Sequence, residues 1–238
     1  QIGRGETISD TAKIISGFCS ALIVRTFAQS DVDELGKYAT IPVINALTDD
    51  DHPTQLLADW LTIRENFGKD IKKRKFVYIG DGNNVANAWL IMGATMGAHI
   101  VVATPAGKWA PKSSVVDQAN KIAKKSGGKI EVITDPKAAA QDASVIYTDV
   151  WMSMGDSEAD RAEKTSALSS FAVTNDLMRL TTKDSIFMHC LPAHRGEEVA
   201  ADVIDGPKSV VWRQAFHRRT TIQALLYHLT RGDLKGNK

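Results

Sequence analysis

Two cysteines in 238 residues, Cys19 and Cys190, are too few for a disulfide framework, and their sparing use fits a reducing compartment. Long apolar runs are missing as well: no stretch approaches the ~20 residues that a membrane-spanning helix needs. Charge imbalance is absent too, with 29 basic against 28 acidic residues and a formal charge of +1. That balance leaves no basic footprint for nucleic acid. The local basic run Lys69 to Lys75 reads as the cap of a helix end and a connection. Internal repeats and low-complexity segments are lacking, and no signal peptide is visible in these residues. The sequence opens at Gln1 instead of Met, which leaves a leader or transit segment ahead of it open. The compartment expected is the cytoplasm, with an organelle matrix as the alternative.

What is present is a composition typical of globular domains, 43% hydrophobic and 24% charged. Short apolar runs alternate with amphipathic stretches from end to end, which argues for α/β layers with mainly parallel strands. Helices are expected at Thr7–Phe18, Asp31–Tyr38 and Pro53–Phe67, with strands at Ala21–Arg25 and Ile41–Asn45. Pro53 suits a first helical turn, where its missing N–H costs nothing. After a polar connection a second series follows, with strands at Lys75–Ile79, His99–Ala103, Lys129–Ile133, Ser144–Thr148, Ser185–Met188 and Ser209–Trp212. Helices at Asn84–Met96, Ser114–Ser126, Pro136–Gln141, Thr174–Leu180 and Thr220–Arg231 complete it. A domain boundary is expected near Gly68, separating residues 1–67 from 68–216, with residues 217–238 packing back on the first unit.

Several side chains fall where such a fold presents its ligands. Gly80-Asp81-Gly82-Asn83-Asn84 follows a strand and opens a helix, as in a dinucleotide site, but the third glycine of that fingerprint is absent. No acidic residue ends the next strand, Val101-Val102-Ala103-Thr104, to hold a ribose. The alternative is that Asn84 presents its amide to a small polar ligand. His52-Pro53-Thr54-Gln55 enters a helix, whose free N–H groups and positive dipole end suit a carbonyl oxygen or phosphate. The competing view makes His52 a loop residue and Gln55 a solvated one. Arg25 ends a strand and points at the usual ligand crevice, unless it pairs with Asp31 or Asp33. Asp149 also ends a strand, and Ser153-Met154-Gly155 with the charged run Asp156 to Glu163 read as a loop over substrate, or simply as a long surface loop. Cys19 reads as a small structural hydrophobe. Cys190 differs, because it follows a strand end and precedes the turn-making Leu191-Pro192.

Taken together, His189-Cys190-Leu191-Pro192, Asp149-Val150-Trp151-Met152-Ser153-Met154-Gly155 and His52-Pro53-Thr54-Gln55 resemble the ornithine carbamoyltransferases over nearly the whole chain. The resemblance implies two doubly wound α/β domains with the active site in the cleft, homotrimers or multiples of them, and neither metal nor organic cofactor. It implies carbamoyl phosphate and L-ornithine as substrates and citrulline and phosphate as products. It assigns Gln1, Arg25, His52, Gln55, Cys190, Leu191 and Arg218 to carbamoyl phosphate, and Asn84, Asp149, Ser153 and Met154 to ornithine. Arg25, His52, Asp149 and Cys190 take the catalytic roles, and the Leu191-Pro192 peptide is cis, turning the Leu191 carbonyl toward the carbamoyl nitrogen. No base partners Cys190 at motif spacing for a covalent route.

Two departures stand out. Phe216-His217-Arg218 replaces the family's Glu-Asn-Arg, with Arg219 as a neighbour that could stand for Arg218. The Ser-Thr-Arg-Thr-type phosphate segment is missing, so a partial first domain and impaired catalysis are expected. Related acceptors (acylated ornithine, putrescine, aspartate) are alternatives, although aspartate enzymes carry His-Pro-Leu-Pro where this chain has His189-Cys190-Leu191-Pro192. A nicotinamide-dependent oxidoreductase and an ornithine-binding module without turnover are the alternatives of other classes.

Overall fold

A computed structural model of the chain describes residues 5–69, 71–152 and 157–232. Helix α1 (Ile8–Ser16) precedes a small parallel sheet of β1 (Leu22–Arg25) and β2 (Val43–Leu47), which α2 (Gln29–Tyr38) connects. Helix α3 (Pro53–Phe67) then leads to a five-stranded parallel sheet: β3 (Lys75–Ile79), β4 (His99–Ala103), β5 (Lys129–Ile133), β6 (Val145–Thr148) and β7 (Ile186–His189). Its spatial order is β5-β4-β3-β6-β7, so the winding reverses between β3 and β6. At such a reversal the crossovers diverge and a crevice opens beyond the carboxyl ends of the strands. Asn83 and Asp149 follow those two strands.

The crossovers are α4 (Asn84–Thr95), α5 (Ser113–Ser126), α6 (Pro136–Ala140), α7 (Glu158–Leu168) and α8 (Asn175–Met178), followed by short α9 (Ala201–Ile204) and long α10 (Val211–Arg231). Successive side chains of a strand point to opposite faces, and β3 divides its residues accordingly. Phe76 and Tyr78 join a core with Leu56, Trp60 and Ile63 of α3 and Trp89 and Leu90 of α4, while Val77 and Ile79 join another with Ile146, Phe171 and Phe187. With both faces covered, β3 reads as a continuous apolar run. Trp89 lies 4.9 Å from Tyr147 and Trp60 meets Phe76 edge-on at 5.5 Å. Each such buried side chain contributes about 1.5–3 kcal/mol relative to exposure. Helix α10 lies along α3 and also reaches β7. The small sheet is less covered: Ile23 and Phe27 are exposed, as is Phe18 after α1.

Two expected elements differ. Ser209–Trp212 is not a strand: Ser209 makes a single bridge to Phe187, and Val211 opens α10, well before Thr220. A short apolar run does not distinguish a buried strand from a buried helix start, and here Val211, Gln214 and His217 are buried at helical spacing. Nor is the charged run to Glu163 a loop throughout, since Ser157 caps α7 by accepting from the Asp160 amide at 3.3 Å. The basic run does cap a helix end: Lys75 Nζ donates to the Gln141 carbonyl after α6 at 2.8 Å, and Arg74 pairs with Asp184 at 2.9 Å.

Candidate active site

Pro53 occupies the first turn of α3 with His52 before it, so the free N–H groups of this helix end lie beside two buried side chains, His52 and Gln55. Arg218 of α10 reaches the same point. Its Nη1 donates to Gln55 Oε1 and lies 3.4 Å from His52 Nε2, and its Nη2 donates to Thr54 Oγ1 at 3.3 Å. Arg219 is exposed, so the guanidinium that meets α3 is that of Arg218. Burial, then the positive charges of Arg218 and Arg25, push His52 down to about 3. The imidazole is therefore neutral at pH 7. Because Arg218 can only donate, His52 Nε2 accepts here, and donation from Nε2 to a substrate oxygen requires Arg218 to turn away. Arg25 is exposed at the end of β1, near enough for its charge to act on both His52 and Arg218.

A second group forms on the larger sheet. Thr148 and His189 are register partners on β6 and β7, so the next residues, Asp149 and Cys190, emerge side by side. Cys190 Sγ donates to Asp149 Oδ1 at 2.8 Å, and Asn83 Nδ2 donates to Asp149 Oδ2 at 2.8 Å. Burial first, and the adjacent Asp149 charge second, raise the Cys190 thiol well above its ordinary range. It is thus a neutral donor and a poor thiolate nucleophile. Asn83 also caps α4 through Oδ1, which accepts from the Val85 and Ala86 amides. Asn84 Nδ2 donates to the Thr48 carbonyl at 2.8 Å, tying this group to the loop that leads into His52.

A buried polar chain joins the two groups. Asp59, fully buried on α3, accepts from Gln55 Nε2 at 2.9 Å and from Gln214 Nε2 at 2.7 Å. Gln214 Oε1 in turn accepts from the His189 amide at 3.0 Å. Burial raises Asp59 to about 7, against the lowering effect of those hydrogen bonds. His189 Nδ1 accepts from the Leu191 amide at 2.8 Å, ahead of a cis Leu191–Pro192 peptide, and its Nε2 lies 3.3 Å from buried Glu198.

Of the expected site residues, Arg25, His52, Gln55 and Arg218 therefore gather at the head of α3, and Asp149 and Cys190 meet at the sheet end with Asn84 and Leu191 adjacent. Gln1, Ser153 and Met154 lie outside the described residues. Sequence reasoning missed Asn83, Asp59 and Gln214. Asn83 carried a signal, an asparagine at a helix N-cap after a glycine turn. Asp59 carried a weaker one, a carboxylate one turn after Gln55 with Leu56 and Ile63 beside it on the helix. Asp149, His189 and Cys190 bring one potential metal-ligand atom each within 4.8 Å of one another, as do His194, Glu197 and Glu198. In the first cluster both His189 nitrogens already face Leu191 and Glu198, a poor donor set for an ion.

The family described as aspartate/ornithine carbamoyltransferase, carbamoyl-P binding domain, matches residues 1–65, and its Asp/Orn binding domain matches residues 72–229. The anabolic ornithine carbamoyltransferase of Pyrococcus furiosus is 50% identical over 235 residues, covering 99% of this chain and 73% of that protein. The ornithine carbamoyltransferase of Anoxybacillus flavithermus is 51% identical over 229 residues, covering 96% and 72%. The solved structure of ornithine carbamoyltransferase from Pyrococcus furiosus superposes with a TM-score of 0.92, covering 99% of this chain and 74% of that one.

Proposed function

Since the chain belongs to the aspartate/ornithine carbamoyltransferase family, we propose that the two groups of side chains at the strand ends carry out its ornithine-specific reaction. The reaction transfers the carbamoyl group of carbamoyl phosphate to the δ-amino group of L-ornithine, giving L-citrulline and phosphate, an anabolic step toward arginine. The observation that carries the assignment is the 2.8 Å contact between Cys190 Sγ and Asp149 Oδ1. With the thiol hydrogen taken up by Asp149, the sulfur and the carboxylate oxygens present acceptors, which suit the N–H groups of a primary amine, leave its lone pair free, and do not suit a second carboxylate.

In this reading Asp149 and Cys190 hold the δ-amine in its neutral form, while Asn84 takes the other end of ornithine with Ser153 and Met154. Carbamoyl phosphate lies against the head of α3, its oxygens toward the helix N–H groups, Gln55, Arg218 and Gln1, with the Leu191 carbonyl toward the carbamoyl nitrogen. The amine nitrogen attacks the carbamoyl carbon, and charge collects on the carbonyl oxygen. Arg25 and His52 stabilise that charge, each by about 3 kcal/mol if well aligned. The C–N bond forms, the C–O bond to phosphate breaks, and the departing phosphate accepts the amine proton. Every group in this sequence acts by hydrogen bonding or charge.

The first unit, residues 1–67 with the C-terminal helix against it, would hold carbamoyl phosphate, and residues 68–216 the amino acid. The contact of α10 along α3 supports that division. Two free cysteines support a reducing, cytoplasmic setting, and a homotrimer or a multiple of one is the assembly expected from the resemblance. The test is product formation by this chain with carbamoyl phosphate and, in parallel, ornithine, aspartate or putrescine. Carbamoylation of ornithine alone supports the reading. Turnover with another acceptor would replace it, and ornithine binding without turnover would reduce the chain to a binding module.

A further inference from the structure

The turn between β3 and α4, residues 80–83, is gripped from several sides. Besides the bond from Asn83 to Asp149, the Gly82 amide donates to the Trp109 carbonyl at 2.8 Å. The approach there is close enough that a Cβ on Gly82 would sit 2.3 Å from Pro111 N. The remaining grip is electrostatic. Asp81, 6% exposed, forms a 2.7 Å ion pair with Lys164 Nζ of α7, and Lys164 is 1% exposed. The same ammonium lies 5.1 Å from the centre of the Trp109 ring. Neither Lys164 nor Asp81 has a part in the chemistry described above.

Stripping water from both members of such a pair costs about as much as their attraction returns, so the pair is a poor source of net stability. What it does supply is a fixed point. An exposed anchor would not do this, because long solvated side chains and salt screening leave such contacts loose. Helix α7 has that kind of contact as well, between Lys108 and both Asp160 and Glu163, all well exposed. The buried pair sits directly beside the residues that matter, since Asp81, Gly82 and Asn83 are consecutive and Asn83 Nδ2 holds Asp149 Oδ2.

We propose that Lys164 is a positioning residue for the amino-acid substrate: paired with Asp81, it fixes the β3–α4 turn, and through Asn83 of that turn it orients the Asp149 carboxylate. The proposal rests on the carbamoyl-transfer reading for what Asp149 holds, but not for the pin itself. It places an amine-orienting function in a lysine on a different helix from any substrate-facing group. Carbamoyl phosphate, against α3 and α10, lies outside its reach.

The experiment compares Lys164→Met and Lys108→Met with the unaltered full chain, by steady-state kinetics and by amide hydrogen exchange. Lys164→Met is expected to raise KM for ornithine about tenfold or more, as misplacement of an orienting group does, and to leave KM for carbamoyl phosphate within about twofold. It is also expected to speed exchange at the Gly82, Val85 and Ala86 amides, whose acceptors lie on Trp109 and Asn83. Lys108→Met, which removes the exposed pairs to the same helix and a cation over the Trp109 ring but leaves the buried pair in place, is expected to change neither. Unchanged exchange at those three amides in Lys164→Met would overturn the pin. Faster exchange with both KM values rising together would overturn the substrate-positioning role and leave a structural one. Absence of citrulline from the unaltered chain would count against the reaction, while exchange would still decide the pin. If Lys164→Met does not fold, Asp81→Asn, which removes the pair from the other side and keeps the side-chain shape, is read by the same criteria.

Discussion

Replacing Asp59 by Asn should change how stability responds to pH, and the structure sets the size of the change. Asp59 is fully buried, with two amide donors on Oδ1 and no hydrogen-bond partner on Oδ2. Burial moves its carboxyl from 3.8 to about 7. A carboxyl raised in the folded state binds its proton more tightly there than in the unfolded chain. Stability therefore falls as pH rises from about 4 to about 7, and then levels off. Each tenfold change in proton affinity is about 1.4 kcal/mol, so the window from pH 5 to pH 8 captures roughly 2–3 kcal/mol of this decline. Asn at position 59 keeps an oxygen for Gln55 and Gln214 but has no proton to lose. Its extra N–H₂ faces no acceptor, which costs about 1–3 kcal/mol at every pH. Urea unfolding of both proteins at pH 5 and pH 8 separates the effects. The variant should be less stable at pH 5 and should recover roughly 2–3 kcal/mol relative to the unaltered chain at pH 8. A difference between the two proteins that is the same at both pH values would refute a neutral Asp59.

Two other groups should also behave unlike their free forms. His52, pushed down to about 3 by burial and by Arg218 and Arg25, should show ring proton shifts in NMR that stay flat from pH 8 down to pH 5. Acidification through about 6.5 should then cost stability, because only the unfolded chain takes up that proton; a midpoint near 6.5 in the folded protein would contradict this. The two thiols should separate on alkylation at pH 8. Exposed Cys19 should react within the time that Cys190, a neutral thiol donating to Asp149, stays unmodified by mass spectrometry.

Much of this fold could be read from residue patterns because its period signals are strong. β3, β4 and β5 span the ranges that their strand patterns predict, and α3 spans the range from Pro53 to Phe67 that its N-terminal proline and following glycine mark. Errors fell where a local pattern had two physical solutions. Val210-Val211-Trp212 is equally apolar as a strand or as a helix start, and only packing of α10 along α3 decides. Ser157, three residues before Asp160, marked the head of α7, but the surrounding charge density masked it. At the site, strand-end positions and the Cys-Leu-Pro turn pointed to Arg25, Asp149 and Cys190, because ligand crevices open there in any parallel α/β sheet. The contacts that hold them were not visible. Asp59 with Gln214, and Asp81 with Lys164, are far apart in sequence, and no local pattern pairs them.

The central claim is that the adjacent Asp149 and Cys190 hold the attacking amine. Citrulline formation by Asp149→Asn, with each substrate varied in turn while the other is saturating, tests it most directly. The substitution keeps the shape and removes the charge that orients and attracts the amine. The account predicts that kcat/KM for ornithine falls about 10²-fold or more, the scale of a lost charged hydrogen bond with its alignment, while KM for carbamoyl phosphate stays within about twofold. An unchanged kcat/KM for ornithine, or a KM for carbamoyl phosphate that rises as much as that for ornithine, would contradict it.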